Sequence, residues 1–116
     1  MKHTISLKEN RQFRRLYARG KSAVSPFLVI YCRTNGTAQS RLGVTVGGKL
    51  GIAVVRNLLR RRIREAYRIH ETQFLPGYDV VVVARGRAVY SSYRELERAL
   101  LQLAGKLHLL CREEAH

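Results

Sequence analysis

From residue 10 to residue 64 the chain carries thirteen Lys or Arg and no Asp or Glu. Unpaired like charges are too costly to desolvate together in a core, so any fold of this stretch must leave them at the surface. Yet Leu, Val, Ile, Phe and Tyr are interleaved throughout it, unlike a disordered basic arm. The segment is therefore expected to form amphipathic elements with one apolar and one basic face. Residues 65 to 116 hold seven charges of each sign, so the net charge of +14 belongs almost wholly to the first half. A folded face with that excess attracts polyanions: RNA, DNA, anionic membrane or acidic protein. Seventeen of the 22 basic residues are Arg, whose planar fork matches phosphate oxygens.

A length of 116 residues predicts one domain over 1–116, too short for a catalytic domain with a separate substrate domain. Met1-Lys2-His3-Thr4 leads into charged residues, and the longest apolar run, Val80 to Ala84, is far below membrane-spanning length. A cytoplasmic chain without membrane contact is expected. Cys32 and Cys111 are far apart with no CxxC, which favours small buried hydrophobes over a disulfide scaffold or a zinc site.

Ser6-Leu7-Lys8-Glu9 reads as a capping box opening a helix over about 7–19, closed by Gly20. Phe27 to Cys32 and Leu42 to Val46 read as two antiparallel strands around an Asn35-Gly36 turn, with room for a further short strand near 22–25. Beyond Gly51 the apolar period changes to 3.6, predicting a helix to about His70. Pro76-Gly77 is a turn, and the continuous run Tyr78 to Ala84 suggests a central strand. Ser92-Tyr93-Arg94-Glu95 repeats the capping-box signature, and Leu96, Leu100, Leu103, Leu107 and Leu110 mark one face of a last helix. The order αββ(β)αβα argues for an α/β fold, a two-layer sandwich of helices on one mixed sheet of about four strands.

The helix over 52–70 carries the most information. At about 100° per residue, Val55, Leu59, Ile63 and Ala66 gather on one face. Arg56, Asn57, Arg60, Arg61, Arg64 and Arg68 gather on the opposite one. Arg62 falls inside the apolar arc, where its stem can line the core edge while its head reaches out. Like charges at i, i+4 repel, and Glu65 is the one acid positioned to relieve them. A polyanion turns that repulsion into binding by releasing counterions. Asn57 can both donate to and accept from a base edge or sugar hydroxyl, which no Arg can do.

Phe13 and Tyr17 lie at i, i+4 among Arg11, Arg14, Arg15 and Arg19, and Tyr31 lies on a strand. Rings among basic residues suit stacking of single-stranded bases. Phe13, Leu16 and Tyr17 equally make an ordinary buried helix face, which spacing alone favours. Catalytic groups are not evident. Gly43 to Leu50 nearly fits a phosphate loop, but Leu50 stands where a Ser or Thr should ligate Mg²⁺, and the intervening residues read as strand. His3 and His116 are terminal, His70 ends the second helix, and His108 is placed on the last helix. Glu65 and Asp79 are single carboxylates, Asp79 being expected to pair with the Arg-rich helix.

Lys49-x-Gly51-x-Ala53-Val54-x-Arg56-Asn57-x-x-Arg60-Arg61-x-Ile63-Arg64-Glu65-Ala66 resembles the signature of the bacterial ribonuclease P protein subunit. The resemblance runs from Leu7 to about Leu110, through Phe13-x-x-x-Tyr17-x-x-Gly20, the Tyr31 strand and Gly77-x-Asp79. It implies that Phe13, Tyr17 and Tyr31 line a cleft for the single-stranded 5′ leader of precursor tRNA. It implies that Arg56, Asn57, Arg60, Arg61 and Arg64, with Lys49 in the loop before them, face the catalytic RNA subunit. It further implies a left-handed βαβ crossover and Mg²⁺ held by the RNA of the holoenzyme, which hydrolyses one phosphodiester bond. The chain departs from the family in having Leu58 after Arg56-Asn57, and Gly47-Gly48 before Lys49. Two other readings of the basic helix are a ribosomal or ribosome-assembly protein and a self-sufficient endoribonuclease.

Overall fold

A computed structural model describes residues 3–111. Five strands form one mixed sheet: β1 (Thr4–Ser6), β2 (Lys21–Val24), β3 (Leu28–Thr34), β4 (Ser40–Thr45) and β5 (Tyr78–Ala84). Three helices accompany them: α1 (Asn10–Arg19), α2 (Ala53–Ile69) and α3 (Tyr93–Lys106). The strand order across the sheet is β1-β4-β5-β3-β2.

The unbroken Val80–Val83 run explains that order, because a strand apolar on both faces needs cover on both and takes the middle of the sheet. β5 pairs antiparallel with β3 and parallel with β4, α2 forming the crossover between the parallel pair. β3 and β4 thus run in opposite directions, as expected, but are not hydrogen-bonded neighbours. The Asn35-Gly36 turn spans the width of β5 instead of closing a two-strand hairpin. Gly36 there adopts φ 75°, and the Asn35 carboxamide oxygen accepts from the Thr37 backbone N–H at 2.9 Å.

The first helix begins later than its apparent capping box predicts. Ser6 is committed to β1, paired with Leu42, and the Leu7 N–H donates to the Leu42 carbonyl at 2.9 Å. The box forms one turn on, between Glu9 and Gln12. Gly20 does end α1, but in extended geometry; a Cβ there would sit 2.7 Å from the Leu16 carbonyl oxygen and 2.9 Å from that of Cys32. The Ser92/Glu95 box opens α3 as expected. The apolar stripe continues past the helix, however: α3 stops at Lys106, and the Leu109 N–H reaches back to the Ala104 carbonyl across His108, which sits at φ 59°. His108 and Leu110 therefore lie beyond α3, with Leu110 bridging to Phe74.

Alternation along β3 and β5 builds two cores. Leu28, Ile30, Cys32, Val80 and Val82 pack with Leu59 and Ile63 of α2 and Leu96, Leu100 and Leu103 of α3. On the opposite face, Val81 packs with Leu7 and with Leu16 of α1, flanked by Phe13, Tyr31 and Val83. The principal sandwich is the sheet on α2 and α3, and α1 covers part of the other face. Cys32 is buried in the larger core, while Cys111 is only half-buried. No helix among the described residues is long and apolar enough to cross a membrane.

Candidate nucleic-acid interface

The strand register sets out the α1 face of the sheet in three rows. Val29, Val83 and Thr45 lie side by side in one; Tyr31, Val81 and Gly43 in the next; Arg33, Asp79 and Arg41 in the third. Helix α1 crosses over the middle row. Phe13 is half-buried with its ring on Gly43, where a Cβ would come within 2.6 Å of Phe13 Cε1. Tyr17 is 41% exposed and meets Tyr31 edge-on, ring centroids 4.9 Å apart, while its hydroxyl lies 3.3 Å from Thr45 Oγ1. Of the apolar face expected for this helix, only Leu16 is fully buried. The three aromatics expected to form a cleft are therefore together, over an apolar floor of Val81 and Val83. Val24, beside Val29 on β2, extends this face and is 54% exposed.

Helix α2 packs against the other face of the sheet through Leu59, Ile63, Ala66 and Tyr67, with Val55 only partly buried. Tyr67, absent from the expected apolar set, is anchored by its hydroxyl 3.1 Å from Thr4 Oγ1, and burial raises its pKa. The basic residues point away from this core. Asn57, Arg61 and Arg68 are exposed, and Arg56, Arg60 and Arg64 are half-exposed. Arg60 donates to Asn57 Oδ1 at 2.8 Å, which occupies the Asn57 acceptor and leaves its amide donors without a partner among the described residues. Arg56 Nε donates to the Gly51 carbonyl at 3.1 Å, bracing the turn that carries exposed Lys49. Arg62 reaches the Ser91 carbonyl at the core edge, as its position in the apolar arc predicts.

Glu65 takes the role expected of it, accepting from Arg68 at 2.9 and 2.6 Å. The Arg68 hydrogen bonds hold the Glu65 carboxyl below the usual carboxylate range, and Glu65 in turn raises Arg68. Among the described residues, Arg68 is thus the one member of the expected RNA-facing set that is already ion-paired. Asp79 does not pair with α2. It lies on the α1 face, where Arg41 grips it through Nε at 2.7 Å and a second guanidinium nitrogen at 2.8 Å, and Asn35 donates to it at 2.9 Å. Its place on β5 between β3 and β4 dictates these partners.

The structure thus gathers the aromatics on one face of the sheet and the Arg-Asn helix on the other, with the Lys49 turn at the strand ends between them. Gly43 and Thr45 complete the aromatic site and carried no signal of their own in the sequence, since their contribution is contact with a helix thirty residues away. Gly43–Thr45 form strand, so no phosphate loop precedes Lys49. A surface cavity of ≈ 610 Å³ lies elsewhere, between β1 and the 71–76 segment, and among the described residues no Lys or Arg lines it.

The model of the family described as Ribonuclease P matches residues 1–108. The ribonuclease P protein component of Alkaliphilus oremlandii is 38% identical over 110 residues, covering 95% of this chain and 96% of that one. The same component of Lachnoclostridium phytofermentans is 42% identical over 103 residues, covering 89% and 88%. Among solved structures, the RNase P protein of Staphylococcus aureus superposes with a TM-score of 0.84 at 31% identity, covering 91% of this chain and 97% of that one. That of Thermotoga maritima superposes with a TM-score of 0.77 at 32% identity, covering 84% and 92%. Fold, motif and sequence agree, and the chain belongs to the ribonuclease P protein family, subunits of an endoribonuclease holoenzyme that processes the 5′ ends of precursor tRNA.

Proposed function

We propose that this chain binds the catalytic RNA of ribonuclease P with Lys49, Arg56, Asn57, Arg60, Arg61, Arg64 and Arg68, and the 5′ leader of precursor tRNA with Phe13, Tyr17 and Tyr31. The carrying observation is the half-exposed Tyr17–Tyr31 pair on an apolar floor. Rings held edge-on and open to solvent offer single-stranded bases a stacking surface worth about 1–3 kcal/mol per base. Mature tRNA has no leader, so this contact favours substrate over product. The α2 face supplies the electrostatic part, neutralising phosphates that would otherwise repel each other when two RNAs meet.

Hydrolysis is assigned to Mg²⁺ carried by the RNA. Among the described residues no three His, Cys, Asp or Glu side chains gather to hold a metal, and Glu65 and Asp79 are engaged by Arg68 and Arg41. We place the holoenzyme in the cytoplasm, where precursor tRNA is made.

The deciding experiment is precursor tRNA cleavage by the purified catalytic RNA at low Mg²⁺, with and without this chain. Stimulation that depends on the leader is expected. No stimulation would overturn the reading, and cleavage by the protein alone would point to a self-sufficient nuclease. Equal binding to precursor and mature tRNA complexes would point to a ribosomal role.

A further inference from the structure

A second basic surface lies on the far side of α1 from the aromatic cleft. Arg11, Arg14, Arg15 and Arg19 of α1 and Arg33 of β3 line one groove of ≈ 500 Å³. Only Arg11 has a carboxylate partner among the described residues, Glu9 at 3.0 Å. Arg14, Arg15, Arg19 and Arg33 enter no ion pair there. The groove opens toward the row of Arg33, Asp79 and Arg41, whereas Tyr17 reaches toward the row of Val29, Val83 and Thr45. Those rows are four residues apart along the strands, about 13 Å. The groove is therefore separate from the cleft, and it is on the opposite face of the sheet from α2.

Arg11, Arg15 and Arg19 stack at i, i+4 and i+8, an arrangement that costs stability through like-charge repulsion. Folding gains nothing from it, and no aromatic ring lines the groove to stack a base. The chemistry fits phosphates of a nucleic-acid backbone recognised without reference to sequence.

We propose that this groove binds the sugar-phosphate backbone of a folded segment of the catalytic RNA, a contact additional to that of α2. The proposal rests on the reading of the chain as the RNA-binding subunit. The catalytic RNA is favoured over the body of tRNA because that body is common to substrate and product. Four unneutralised arginines gripping it would hold both equally and retain product, whereas a permanent partner gains from such uniform binding.

The test compares the full-length variant Arg15→Gln/Arg19→Gln/Arg33→Gln with a control losing the same charge from exposed positions on α3, Arg94→Gln/Arg98→Gln/Lys106→Gln. Affinity for the catalytic RNA is measured across a salt series. The groove variant is expected to bind roughly ten-fold or more weakly, its log K against log salt slope shallower by about 2 to 3, at about 0.9 per duplex phosphate released. The control should lose much less of both, and the preference for leader-bearing over leaderless tRNA should survive. Because Arg33 is half-buried, Arg15→Gln/Arg19→Gln, both exposed, is run alongside and should show about two-thirds of the slope change. Slopes equal to the control would overturn the proposal. So would unchanged binding to the catalytic RNA with weakened tRNA binding by the preassembled holoenzyme, which would assign the groove to the tRNA body. If the unsubstituted chain fails to bind the catalytic RNA, the proposed function itself falls.

Discussion

Gly43 illustrates how one atom shapes the aromatic site. The Phe13 ring occupies the space its Cβ would need, so Gly43→Ala forces the ring off the sheet. Overpacking of this kind costs about 1–3 kcal/mol. Here it should also distort the cleft: Gly43→Ala is expected to stay folded, with a lower melting temperature, and to lose affinity for leader-bearing tRNA more than for leaderless tRNA. Equilibrium binding with the two substrates checks this, and equal losses would remove Phe13 from the leader site. Asp79 makes the opposite case, a residue whose role is stability. Asp79→Asn replaces a carboxylate held by Arg41 and Asn35 and leaves a half-buried guanidinium without its counter-charge. A loss of about 1–3 kcal/mol in denaturant unfolding is expected, with leader preference intact.

At the scale of elements, Leu58 follows Asn57 on α2. Leu58 is 41% exposed beside the basic face, so the helix can accept a charge there without repacking its core. Leu58→Arg is expected to tighten binding to the catalytic RNA and steepen its salt slope by up to about 0.9, as read from a salt titration. Glu65 restrains the same face. Its carboxyl is held low by Arg68, so the pair persists at neutral pH and dissolves only as pH falls through that lowered value, below the ordinary carboxylate range. Substitution, not neutral-range pH, is thus the way to release Arg68, and Glu65→Gln should raise RNA affinity and the salt slope together. No change in either would show that Arg68 does not face the RNA.

Across the whole molecule, the sheet separates the aromatic cleft from the Arg-Asn helix. Stacking groups lie on one face and α2 on the other, so losses at these two sites should differ in kind. Tyr31→Ala is expected to reduce the gap in affinity between precursor and mature tRNA while leaving assembly with the catalytic RNA nearly intact. Arg60→Ala should weaken assembly and leave the gap nearly unchanged. Measured in one holoenzyme titration, the two effects should add within about 0.5 kcal/mol, as for sites without shared partners.

The outcome for each element follows from how local its determinants are. Helix α2, its two faces, strand β5 and the Ser92/Glu95 cap were legible because each depends on residues within one or two turns of each other, and the basic and aromatic residues were legible by type. The sequence alone therefore determined that residues 10–64 form a basic segment without an acid, which elements carry it, and which side chains are candidates for contact with RNA. Tertiary structure decided what depends on partners far away in the chain. β1 recruits Ser6 and delays α1; β5 comes between β3 and β4; Asp79 meets Arg41 rather than α2; and α3 ends where Leu109 folds back on Ala104. It also divided the thirteen basic residues of 10–64 between faces. Local periodicity says which side of an element is polar, but strand order and helix placement, which follow from burying the apolar sides together, decide which polar sides become neighbours.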